Sequence, residues 1–416
     1  MSRFRPVSTR SFTVQPFTFS RSFSLNSPSL SSASSSTSSS ATSSTTSETT
    51  TTTTDRQIGK VSRPFRPTPL PVGPPKHRFP KPLPLSLPQT DLLKSLSHIP
   101  AIRNRPSLIN DETCRDLVRG WGVDKMGSDV TVVDTYSGAG GLTRAFLELP
   151  NVGKVIAIED AFRYNNILRD LKVEEDSKNP GRLEIIEKDS FTWEAYSEAA
   201  KHLNEVPTIP WDEKSNNHLF LAGQLPNNRH GEQLFVQLVT AIASRMWYFT
   251  RGRFSMGFVG SENYWKKIFA QPGEKDHHKL SVLLPTLAHL EYVDILSDFR
   301  PVETNFHKPR GDKAHVKAVK VIPRIRPLVN NFEALEYCAK HMFVSKAVPW
   351  PKAVAAITPG SSNLVPLLVK QGLRDLQKPV NKLTLEEWIK IADTFEDWPF
   401  RPHNLMDIWG NDEAER

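Results

Sequence analysis

A chain of 416 residues exceeds what one compact core usually holds, and its two cysteines, Cys114 and Cys338, lie far apart in no metal-ligand spacing, which excludes a disulfide-stapled scaffold and a zinc site. No apolar run reaches the roughly 18 residues that a membrane-spanning helix needs, so no membrane contact is expected. The formal charge of +8 is local: residues 1–90 carry 11 Lys+Arg against Glu48 and Asp55, while the rest balances 42 basic residues against 43 acidic ones, so global charge says nothing about nucleic acid.

Residues 1–54 contain Arg3, Arg5, Arg10 and Arg21, almost no acid, and a Ser/Thr tract from Ser31 to Thr54. Such a segment cannot bury a core and has the composition of a mitochondrial transit peptide, with Arg21-Ser22-Phe23-Ser24 similar to a processing site. Residues 55–94 read as a Pro-rich basic linker. From residue 95 to 327 strands and helices alternate. Apolar runs at Val130–Asp134, Lys154–Glu159, Leu183–Ile186, His218–Ala222 and Phe254–Val259 predict five strands, with helices such as Ala161–Leu171 and Glu232–Trp247 between them, as in a parallel α/β sheet. Alternating stretches at Tyr292–Phe299 and His315–Ile322 predict an antiparallel pair at the sheet edge. Residues 328–416 carry helical signals and no strand signal, and Thr384-Leu385-Glu386-Glu387 predicts a capping box.

Ligands of such sheets lie beyond the carboxyl ends of the strands. There the first strand runs into a glycine-rich turn whose Gly138 and Gly140 allow close backbone approach. NAD, FAD and S-adenosylmethionine (SAM) domains all use turns of this kind. Asp134 before the turn suits a methionine ammonium, Glu159 at the end of the second strand suits two ribose hydroxyls, and Asp189 after the third suits an adenine amine. Three acids at three successive strand ends favour SAM.

With these residues in view, the sequence resembles the ribosomal RNA adenine dimethyltransferases and their relatives, the mitochondrial transcription factors of the B type. The resemblance covers roughly residues 105–400: Ser107-Leu108-Ile109-Asn110-Asp111 is similar to the family's N-terminal motif, Asp134–Thr143 to its cofactor loop, Val155–Glu159 to its second strand, Val316–Val321 to a late strand and Leu383–Pro399 to its C-terminal helix. It implies a Rossmann-like SAM-dependent methyltransferase sheet with a small C-terminal helical domain. It also implies a catalytic fourth-strand motif, Asn-Leu-Pro-Tyr or Asn-Leu-Pro-Phe, whose amide oxygen aims the adenine amine and whose ring stacks on a flipped base.

Here the motif reads Gln224-Leu225-Pro226-Asn227. The longer amide displaces its acceptor, and a misplacement of about 1 Å can cost roughly 100-fold in rate. Asn227 removes a stacking ring worth roughly 1–3 kcal/mol per base. Tyr136 replaces a family glycine; it either fills the space of the methionine end of SAM or turns aside and packs under the sheet. A tyrosine there is similar to the fungal mitochondrial transcription factors, whose resemblance implies a specificity subunit for the mitochondrial RNA polymerase at promoter DNA, acting as a monomer in the matrix. Phe306 is a candidate for the aromatic below the base. The active-enzyme alternative is dimethylation of small-subunit rRNA.

Residues 300–326 hold eight cations against Glu303 and Asp312. Arg300, Lys308, Arg310, Lys313, Lys317 and Lys320 are candidate phosphate contacts, or else a solvated edge. Trp247-Tyr248-Phe249 beside Arg245, Arg251 and Arg253 reads either as a stacking surface for nucleic acid or as a helix end leading into a core strand, and the acidic tail from Leu383 is expected to dock its tryptophans on the helical domain. His277-His278 has no second ligand cluster to make a metal site.

Overall fold

The computed structural model describes residue 105, residues 107–307, residues 315–402 and residue 405; the transit-peptide and linker expectations, together with Lys308, Arg310 and Lys313, lie outside them. The strands are β1 (Ser107–Leu108), β2 (Val130–Thr135), β3 (Val152–Ile158), β4 (Leu183–Ile186), β5 (Leu219–Gln224), β6 (Met256–Ser261), β7 (Ala288–Val293), β8 (Phe306–His307) and β9 (Val316–Pro323). Seven form one sheet in the order β4-β3-β2-β5-β6-β9-β7, parallel from β4 to β6 and antiparallel at β9 and β7. The five predicted strands and their parallel order are therefore present. Strand order reverses between β2 and β5, and the crevice beyond that point is where an open α/β sheet places its ligand.

Every residue of β2 is buried, as expected of a central strand covered on both faces. The period of two decides which face each residue serves. Val133, Leu219 and Leu221 join a cluster with Tyr196 of α4 (Trp193–Ala200), Leu234 and Phe235 of α5 (Arg229–Ser244), and Trp265 of α6 (Glu262–Phe269). Val132, Phe220 and Ala222 join the opposite cluster with Leu117 of α1 (Asp111–Gly120), Phe146 of α2 (Gly141–Leu147) and Leu168 of α3 (Phe162–Asp176).

α7 (Lys279–Leu287) is apolar all round and serves two cores. Leu280, Leu284 and Leu287 face the sheet, whereas Val282 and Leu283 enter a third cluster. After the single-turn α8 (Val302–Asn305), the remaining helices build that third cluster: α9 (Phe332–Phe343), α10 (Trp350–Ala355), α11 (Leu364–Lys370) and α12 (Leu385–Glu396). Trp388 and Trp398 are buried in it, while Phe400 is exposed. The capping box is formed: Thr384 Oγ1 accepts from Glu387 N–H at 3.3 Å and Glu387 Oε2 accepts from Thr384 N–H at 2.8 Å.

One edge strand differs from expectation. β7 covers residues 288–293 rather than 292–299, because the chain passes from α7 straight into the strand and then turns. Asp298 and Phe299 take φ of 43° and 54°, incompatible with extended backbone, and Phe299 swings into the core against Phe306, their ring centres 5.4 Å apart. β1 and β8 form a two-stranded antiparallel ribbon that pairs Leu108 with Phe306. It lays Ser107 and Leu108, with Arg105 beside them, against the carboxyl end of the sheet.

Candidate functional site

Asp134 is the penultimate residue of β2 and is fully buried. Thr143 Oγ1 donates to its Oδ2 at 2.6 Å, while Oδ1 has no hydrogen-bond partner among the described residues. Burial pushes its carboxyl up to about 7; the Thr143 hydroxyl opposes the shift and the neighbouring Glu159 charge adds to it. After Asp134 the backbone turns through Tyr136 (φ 52°), Gly138 (φ 60°) and Gly140 (φ 80°) before α2 begins. At Gly138 the approach is close: an added Cβ would sit 2.5 Å from Ser107 Oγ.

The three acids do meet at this one place, and each is engaged by the chain itself. Glu159 accepts four hydrogen bonds. Two come from backbone N–H groups, Gly138 onto Oε2 and Ala161 onto Oε1, each at 2.8 Å. The other two come from the guanidinium of Arg105, one nitrogen to each oxygen, with a further bond to Asp160 at 2.7 Å. Asp189 Oδ1 accepts from the Tyr136 hydroxyl at 3.2 Å and from Phe191 N–H at 2.9 Å. Tyr136 is buried in the cluster with α4 and α5, and its backbone N–H donates to Ser190 Oγ. It therefore packs into that cluster while its hydroxyl reaches the acid expected to meet adenine and its ring covers the Arg105 guanidinium, so it does not simply turn aside.

Gln224, which is buried, is held at both ends of its amide: Leu108 N–H donates to Oε1 at 2.6 Å and Nε2 donates to the Ser137 carbonyl at 3.1 Å. Its oxygen thus faces the N-terminal segment. Leu225, Pro226 and Asn227 border a cavity of about 410 Å³ that is also lined by Asn228, Glu232 and Lys267. Phe306 is 2% exposed and belongs to the core, so it does not form the floor of a base site. As arranged, the Glu159 carboxylate, the acceptor that the resemblance assigns to the ribose of SAM, is occupied within the chain, whereas Asp189 is engaged through Oδ1 and Asp134 Oδ1 has no hydrogen-bond partner among the described residues.

Among its described residues the basic stretch is dispersed. Arg300 is exposed near Asp298 at 3.8 Å, and Lys317 is paired with the same acid. Lys317 and Lys320, three apart on β9, project to opposite faces of the sheet, and Lys320 Nζ lies beside Gly122. Tyr248 and Phe249 are buried, and Arg251 and Arg253 donate to the carbonyls of Val206 and Trp211, which makes that stretch structural. His278 caps α7 by accepting from Leu280 N–H, and His277 packs on Phe343. No helix among the described residues is long and apolar enough to cross a membrane.

Sequence reading missed Arg105 and Thr143. Thr143 had a signal, being nine residues beyond Asp134 at the start of the following helix. Arg105 had none, since one arginine just before the Ser107–Asp111 motif, close to Arg103, carries no pattern that sets it apart.

Four known proteins or families are similar to this chain. The Ribosomal RNA adenine dimethylase family matches residues 117–397. The chain is 22% identical to Mitochondrial transcription factor 1 of Lachancea kluyveri over 293 residues, which cover 67% of this chain and 84% of that protein. It is 28% identical to Ribosomal RNA small subunit methyltransferase A of Caulobacter vibrioides over 170 residues, 41% of this chain and 54% of that one. The solved dimethyladenosine transferase of Plasmodium falciparum superposes with a TM-score of 0.47 and 15% identity over 68% of this chain and 95% of that one. The family match spans well over half of the sequence, and on that extent the chain belongs to the ribosomal RNA adenine dimethylase family.

Proposed function

We propose that this chain is a mitochondrial transcription initiation factor that engages the mitochondrial RNA polymerase and melted promoter DNA in the matrix, on a methyltransferase fold that has given up methyl transfer. The observation that carries the reading is Gln224: the amide that would aim an adenine amine is spent on Leu108 N–H and the Ser137 carbonyl. Asn227 in place of an aromatic ring and the Tyr136 hydroxyl on Asp189 support it. So do the relatives named Mitochondrial transcription factor 1, from Lachancea kluyveri and Saccharomyces cerevisiae. In this reading residues 1–54 direct import, residues 55–94 link, residues 95–327 form the methyltransferase-like domain and residues 328–416 the helical domain and tail.

A second reading, a SAM-dependent dimethyltransferase of small-subunit rRNA, is favoured by the retention of Asp134, Glu159 and Asp189 at three strand ends. Two assays on the same preparation separate them: run-off transcription with the mitochondrial polymerase on a linear promoter, and transfer of labelled methyl groups from SAM to an rRNA hairpin. Promoter-dependent transcripts without methylation are expected. Dimethylated adenine without any effect on transcription would reverse the assignment.

A further inference from the structure

We infer that Arg105 is an internal ligand, a guanidinium built into the chain that occupies the site at Glu159 where the family's fold receives a nucleoside. The inference rests on the assignment of the strand-end acids to a cofactor site and is independent of any role in transcription.

Four groups enclose the guanidinium. Glu159 takes two of its nitrogens, Asp160 accepts from one of these at 2.7 Å, and the rings of Tyr136 and Tyr164 lie with their centres 4.7 and 5.7 Å from the guanidinium carbon. Two carboxylates at the edge and two aromatic faces suit a planar delocalised cation, which an ammonium would not match. Arg105 is 8% exposed, so the pair is shielded from solvent. The neighbouring residues complete the closure. Ser107 Oγ accepts from Ala139 N–H at 2.9 Å, and Leu108 N–H takes the Gln224 oxygen. One short stretch of chain thus satisfies groups on the cofactor loop, on β3 and on β5 together. Two of the four bonds to Glu159 come from backbone that is fixed by the fold; the two from Arg105 belong to a side chain that a competitor can displace.

A ligand that must first displace an internal competitor loses apparent affinity in proportion to the fraction of molecules with the site open. Full-length protein should therefore show no binding of S-adenosylhomocysteine by calorimetry up to millimolar concentration. Arg105→Ala should bind it at least about tenfold more tightly than the unsubstituted chain. The same variant should melt at a lower temperature and be restored by millimolar n-propylguanidinium, which leaves the unsubstituted protein unaffected. Adding Glu159→Gln to Arg105→Ala should abolish the guanidinium response. Should Arg105→Ala not fold, refolding in n-propylguanidinium and the more conservative Arg105→Lys supply the same comparison, Lys restoring charge without the planar fork. Micromolar binding of S-adenosylhomocysteine by the unsubstituted protein overturns the inference, as does a folded Arg105→Ala that responds to neither probe. Transcription is not a readout here, so failure of the internal-ligand idea and failure of the proposed function are told apart.

Discussion

Gln224 keeps an amide where the family's motif has one and spends both ends of it on the chain itself. It bridges Leu108 N–H and the Ser137 carbonyl in a buried position, so Gln224→Ala leaves a buried donor and a buried acceptor unpaired. The expected cost is about 2–6 kcal/mol, at about 1–3 kcal/mol for each of the two orphaned groups, read from urea denaturation. A change below 0.5 kcal/mol, roughly the noise expected of a surface substitution, would mean that these bonds are not formed. Asp134 predicts a pH dependence. Its carboxyl titrates near pH 4 in an unfolded chain and at about 7 when buried, so the folded state holds the proton more tightly. Stability from this group is therefore greatest below about pH 4, declines as pH rises to about 7 and is flat beyond. Asp134→Asn should remove that slope, making the variant more stable than the parent at pH 8 by up to about 4 kcal/mol while the two converge near pH 4. Denaturation midpoints across that range decide it, and parallel curves for the two proteins would contradict the shift.

At the scale of elements, the strongest local signals were the continuous apolar strands and the capping box. Both depend on neighbours close in sequence, which is why β2 to β6 and the start of α12 were legible from the residues alone. Thr384→Ala should cost about 1 kcal/mol, measured as a lower denaturation midpoint, because Glu387 N–H loses its acceptor. β7 was misjudged because Tyr292–Phe299 alternates as a strand does. The left-handed backbone at Asp298 and Phe299 is set instead by the burial of Phe299 against Phe306, where the loop meets the β1/β8 ribbon. The ribbon itself, two residues a side, has no periodicity to read.

For the whole molecule, the net positive charge is carried by residues 1–90, and among the described residues of the basic stretch before residue 327 Lys317 and Lys320 do not share a face. If promoter DNA binds through that stretch, the apparent association constant should fall steeply with salt. Alanine at Lys308, Arg310 and Lys313 together should reduce the slope of log affinity against log salt by up to about 0.9 for each phosphate that is no longer neutralised. Lys317→Ala should have a smaller effect, since that ammonium is already paired with Asp298. Equal effects at all four positions would show that the Lys317 pair opens on binding.

The sequence alone determined the α/β architecture, the helical character of the chain beyond residue 328 and the placing of Asp134, Glu159 and Asp189 at neighbouring strand ends, because strand periodicity and strand order carry that information. It also showed that Gln224 and Asn227 depart from the catalytic motif. Only the tertiary structure decided what holds those acids. Arg105 meets Glu159 from 54 residues away and Leu108 meets Gln224 from 116 residues away, and such pairings follow from how the β1/β8 ribbon crosses the sheet. A side chain's partner in a buried site is set by desolvation and geometry in three dimensions, which no local pattern in the sequence encodes.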